Sequence, residues 1–137
     1  MTKNIKTREV EKGLFRNYLQ KAAENCRCAV QSMEDKAYNA AAVSAVHSAI
    51  SGADAFCVFG LGKRCAPENH KDTAALIMDA TEMKSENDKI RKLFESVIRI
   101  KNMAEYEERL VREKEADKAV REAVELLELI KRVMKEK

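Results

Sequence analysis

At 137 residues and 15.5 kDa the chain has the size of one domain, 1–137, and is long enough to bury a core without disulfide or metal staples. Its residues are 45% hydrophobic but only 5% aromatic, with four Gly and one Pro, so the apolar content is Ala, Val, Leu, Ile and Met, mostly good helix formers that leave strands little material. A 36% charged content with a net charge of only +3 describes mixed-sign helix surfaces and excludes a polybasic arm, so any anion site must be local.

The first segment, Arg8 to about Glu34, repeats apolar residues every three or four positions (Val10, Leu14, Tyr18, Leu19, Ala22, Ala23, Cys26, Ala29, Val30, Met33) and predicts one long amphipathic helix, weakened only locally by Gly13. After a reset near Asp35, Lys36 to Phe59 predicts a second helix whose Ala40, Ala41, Ala45 and Ala49 let a neighbouring backbone come close. Gly60-Leu61-Gly62 stops it, because a glycine just past a helix supplies the left-handed conformation that helix ends favour. In the loop that follows, Asn69 reads as an N-cap with Asp72 three positions on, opening a third helix through Ala80. Ser85 with Asp88 repeats the start signal, and Ile90, Leu93, Phe94, Val97, Ile98 and Met103 trace a fourth helix. Polar residues from Glu105 to Glu115 make a connector. A last helix runs from about Lys114 to Met134, with Ala116, Ala119, Val120, Ala123, Leu126, Leu127, Ile130 and Val133 facing inward. Helices joined this way pack as an all-α, up-and-down bundle of four to five members, with no strand-like alternation.

No apolar stretch approaches the length needed to span a bilayer, and the N-terminus is polar, so a cytoplasmic protein that does not engage membranes is expected. Cys26 and Cys28 sit on opposed helix faces, a spacing that suits neither a bridge nor a zinc knuckle; with Cys57 and Cys65 they are expected as reduced thiols packed in or near the core. No metal or cofactor is expected.

Two groups of residues invite a functional reading. Lys63, Arg64, Asn69, His70 and Lys71 cluster in sequence where the third helix opens, and a helix start suits phosphate. In a ribonuclease reading His70 takes the proton from a 2′-hydroxyl and Arg64 steadies the phosphate charge; the competing reading makes them solvated loop charges. His47 and Asp54 share a face of the second helix, either as a buried polar pair or as groups meeting across a two-fold dimer interface, and the structural reading of a satisfied core histidine is preferred.

Several segments together resemble the HEPN domain: the Ala-rich stretch Tyr38 to Ala55 with its His47 and Asp54, the junction Lys63 to Ile77 with Asn69-His70-Lys71, the run Arg99 to Tyr106, and the Ala-rich last helix. The resemblance implies an antiparallel helical bundle, a homodimer, a role with nucleotide or RNA, and a nucleotidyltransferase-type protein partner in a toxin–antitoxin or stress-defence system. HEPN members that cut RNA carry an Arg followed a few residues later by a His. At the matching place this chain has Lys101-Asn102 and Tyr106, which removes the residue best suited to move a proton near neutral pH. These three residues either bind nucleotide or anchor the connector. The expectation is therefore a non-catalytic module; the alternatives are a metal-independent endoribonuclease using Arg64 and His70, and a purely structural homodimeric bundle.

Overall fold

A computed structural model describes residues 5–66 and 70–135. Its elements in chain order are β1 (Thr7–Glu9), a 3-10 turn (Lys12–Leu14), α1 (Phe15–Glu34), α2 (Tyr38–Leu61), β2 (Lys63–Cys65), α3 (His70–Met78), α4 (Lys84–Ile98), α5 (Lys101–Tyr106) and α6 (Glu113–Lys135). Among the described residues, five helices of nine residues or more build the bundle, and the short α5 is attached to it. The expected all-α bundle is thus the fold.

The arrangement follows from α2. Small and apolar residues lie on nearly all its sides, so it gives little surface to water, Ala40 and His47 being its exposed residues, and becomes the central helix, packed against α1, α4 and α6. α1, α4 and α6 each carry one apolar stripe and turn it inward: Ala22 and Ala29, Phe94 and Val97, Leu126 and Ile130 are all buried. Of the small residues that let a neighbouring backbone come close, Ala41, Ala45 and Ala49 are buried inside the same chain and Ala40 is exposed, so the protein's own helices cover most of that face. By length and mean hydropathy α2 is apolar enough to cross a bilayer, contrary to the expectation that no stretch approaches this, and two-thirds of that window is buried in the bundle.

Buried polar groups tie the helices at defined points. The Ser48 hydroxyl donates to the Ala22 carbonyl at 2.8 Å, joining α2 to α1. Asn87, fully buried, donates to the carbonyls of Met78 and Thr81 and accepts from the Thr81 hydroxyl, which fixes the turn between α3 and α4. Asn39 donates to the Ala104 carbonyl at 2.9 Å and accepts the Val111 N–H at 2.8 Å, so one α2 side chain holds both α5 and the extended connector behind it.

Three expectations from sequence are corrected. The first helix begins at Phe15 and not at Arg8: Thr7–Glu9 pairs antiparallel with Lys63–Cys65, with Arg8 opposite Arg64, and the Val10 N–H donates to the Gly62 carbonyl. Strands of three residues are too short to display an alternation, which is why the ribbon was invisible. The second helix runs on to Leu61, so Gly62 alone, at φ 70°, is the left-handed cap; Gly60 stays helical. The fourth helical stripe is broken at Arg99–Ile100, and α5 leaves in a new direction to meet Asn39.

At the start of α6, Glu115 accepts the Arg112 N–H at 2.9 Å and both Arg109 guanidinium nitrogens at 2.9 and 3.2 Å, which is the N3-to-N-cap half of a capping box. These contacts hold its carboxyl at about 2, below the ordinary 4.5. Because the folded value is the lower one, the stabilisation is complete above about pH 4.5 and disappears as pH falls towards 2. Glu115→Gln is expected to flatten the dependence of melting temperature on pH in that window; a variant curve running parallel to the parent's would contradict the assignment.

Candidate functional site

The residues singled out from sequence part company in three dimensions. Arg64, on β2, turns towards α1 and α2: its guanidinium lies 3.6 Å from the Asp54 carboxylate and 5.6 Å from the centre of the Tyr18 ring. It is therefore placed in the packing of the ribbon against the bundle. His70, the first residue of α3, has its ring 6.2 Å from that of Phe94 and lines a cleft of about 350 Å3 to which Arg64 does not contribute. Lys63 is half-buried on β2, Lys71 is exposed on α3, and Asn69 lies outside the described residues.

His47 and Asp54 are not a buried pair, and His47 is not a core residue. They share a face as the spacing requires, but seven residues separate them by roughly 10 Å along the axis, so each finds a different partner. Asp54 is buried against Arg64, whereas the His47 side chain is 53% exposed and its Nε2 stands 3.5 Å from Glu105 Oε2 on α5.

That contact belongs to the cleft of His70. α2 supplies His47, Ile50 and Ser51, one turn apart on a single face; α1 supplies Lys21, Glu24 and Asn25; α3 supplies His70. α5 supplies Lys101, Glu105 and Tyr106, its Asn102 being exposed outside the lining. Both histidines of the chain, the third-helix start and the Lys101–Tyr106 segment, which lie far apart in sequence, thus meet in one concavity. Lys101 Nζ is 3.7 Å from Glu105 Oε1, 3.5 Å from the Tyr106 hydroxyl and 4.9 Å from the centre of its ring. Glu105 therefore has one cationic or imidazole neighbour at each oxygen, which leaves the cleft less negative than its two carboxylates suggest.

Six lining residues, Lys21, Glu24, Asn25, Ile50, Ser51 and Glu105, were missed as site residues from sequence. Glu105 carried a signal, since it stands four residues after Lys101 and a helix brings such residues together. Lys21 carried none. Of the four cysteines, Cys26, Cys57 and Cys65 are buried and Cys28 is exposed; none is bridged, and burial pushes the Cys57 thiol well up, which keeps it protonated and inert.

A bundle around an apolar central helix, with a cleft of imidazole, ammonium and carboxylate groups beside α5, defines a small helical domain. The sequence profile of the HEPN domain matches residues 15–133, and the chain belongs to that family. No curated protein matches it.

Proposed function

We propose that this chain is a non-catalytic HEPN module that binds the phosphate of a nucleotide or of RNA in the cleft of His47, His70, Lys21 and Lys101. The single observation carrying this reading is the convergence of both histidines with two lysines in one concavity. Imidazole and ammonium N–H groups are the donors that phosphate oxygens need, and a part-enclosed cleft strengthens each such bond relative to open water. The segment matching the family's catalytic motif keeps a cation in Lys101, which can hold phosphate, but has Tyr106 in place of the imidazole that would move a proton in cleaving its ester.

Calorimetric titration with AMP and with a single-stranded RNA hexamer tests the proposal. Binding should weaken with salt and drop by about tenfold for His47→Ala and for Lys101→Ala, the loss of one charge-assisted hydrogen bond. A flat titration of both probes at low salt would refute it. The second reading, a metal-independent endoribonuclease, is favoured by the two imidazoles sharing the cleft; it requires RNA cutting in EDTA that His70→Ala abolishes, with Arg64→Ala separating the original Arg64–His70 pairing from one in which Lys101 steadies the charge. The homodimer and the nucleotidyltransferase-type partner belong to the same proposal. With most of the Ala face of α2 covered, the groove between α1 and α6, with Val30 and Leu127 among its lining and charged residues beside them, offers a surface for pairing.

A further inference from the structure

We infer that Tyr106 is the base-stacking platform of this cleft, so that its ligand is a nucleoside monophosphate unit and not phosphate alone. The inference rests on the nucleotide-binding reading above and adds what recognises the other end of the ligand. Tyr106 is 70% exposed although it is aromatic and stands at the edge of a cleft. Large apolar rings are normally withdrawn from water, and one presented beside a concavity that holds ammonium and imidazole donors is placed for a flat partner.

The neighbouring contacts set its orientation. Lys101 Nζ lies over the ring, 4.9 Å from its centre, and within 3.5 Å of its hydroxyl, so the cation occupies one face and leaves the opposite face to the ligand. The same ammonium reaches Glu105 at 3.7 Å, and Glu105 reaches His47 at 3.5 Å. A continuous line of contacts therefore runs from the phosphate-binding imidazole to the ring. A nucleotide laid along it puts phosphate between His47, His70 and Lys101 and its base on Tyr106. A base paired within a duplex has its faces covered by its neighbours and does not fit this arrangement, so single-stranded or free nucleotide is the substrate class.

The test compares AMP with ribose 5-phosphate, which has the same phosphate and no base, by calorimetry on the full chain. AMP should bind about tenfold more tightly, within the range one aromatic–base stack contributes. Tyr106→Ala should remove that preference while leaving ribose 5-phosphate affinity unchanged, and Tyr106→Phe should keep it, because stacking needs the ring and not the hydroxyl. A helical circular dichroism spectrum equal to the parent's shows that the exposed position has not disturbed folding. Equal affinities for AMP and ribose 5-phosphate in the parent, or an AMP preference that survives Tyr106→Ala, would overturn the stacking assignment while leaving the phosphate site standing. Absence of binding by every probe would instead bring down the nucleotide-binding reading itself. A hexamer of adenylate binding tighter than AMP points to RNA as the source of the unit and equal binding to free nucleotide; both support the assignment, and a duplex binding as tightly as the single strand contradicts it.

Discussion

Gly60→Ala is expected to lower stability by about 3 kcal/mol, roughly 10 °C in melting temperature. A Cβ at this position would stand 1.9 Å from the carbonyl oxygen of Ala80 and 2.8 Å from its carbon. These are backbone atoms in the turn between α3 and α4, and that turn is itself fixed by the buried amide of Asn87. No side chain is available to rotate aside, so either α2 or the turn must shift. Two other glycines calibrate the effect. At Gly62 the positive φ of 70° makes alanine strained whatever the space, and about 1 kcal/mol is expected. At Gly13 the nearest atoms are those of the Glu11 side chain at 3.6 Å, and a change within about 0.5 kcal/mol is expected. Chemical denaturation of the three variants checks the order; a Gly60→Ala protein as stable as the Gly13→Ala one would mean that the end of α2 does not approach Ala80 as described.

Removing the Asn39 amide should affect both stability and binding. Asn39→Ala leaves the Ala104 carbonyl and the Val111 N–H, both in buried residues, without the partners they now have at 2.9 and 2.8 Å. Two such losses are expected to cost about 2–3 kcal/mol. The α5 helix held by this amide carries Lys101, Glu105 and Tyr106, so its loosening should also weaken AMP binding, although Asn39 touches none of the ligand-facing groups. Asn39→Asp keeps the acceptor for Val111 and loses the donor to Ala104, and should lie between the parent and the alanine variant in both measurements. A stability change below about 0.5 kcal/mol for Asn39→Ala would show that α5 is held by other contacts.

The site was legible in sequence only in pieces. His70 was visible because it follows an N-cap signal and a basic loop, and Lys101 with Tyr106 because their spacing matches a family motif. Nothing in the sequence joined these pieces, since their meeting depends on how α2, α3 and α5 converge. His47 was misplaced for a related reason. An Ala-rich helix face reads as core, yet which part of that face stays uncovered depends on where α5 ends, and α5 ends beside His47. Arg64 looked like a phosphate ligand by its nearness to His70 in the chain. The β ribbon turns it instead towards Asp54 and Tyr18, and a ribbon of three-residue strands left no periodic trace.

The sequence by itself determined the class of fold, because apolar residues recurring at helical spacing can be buried only by packing helices together, and the low aromatic content and lack of strand-like alternation left no competing solution. It also marked the second helix, through its small residues, as one that a neighbouring backbone can approach closely; its central position emerged from the packing of α1, α4 and α6 around it. Tertiary structure alone decided which polar groups face one another: the placement of Arg64 beside Asp54 and Tyr18, the contact of His47 with Glu105, and the presentation of Tyr106 beside Lys101. Apolar burial is additive and nearly directionless, so local pattern forecasts it. A hydrogen bond or ion pair needs two groups within a few ångströms, and that distance is set by the packing of every helix between them.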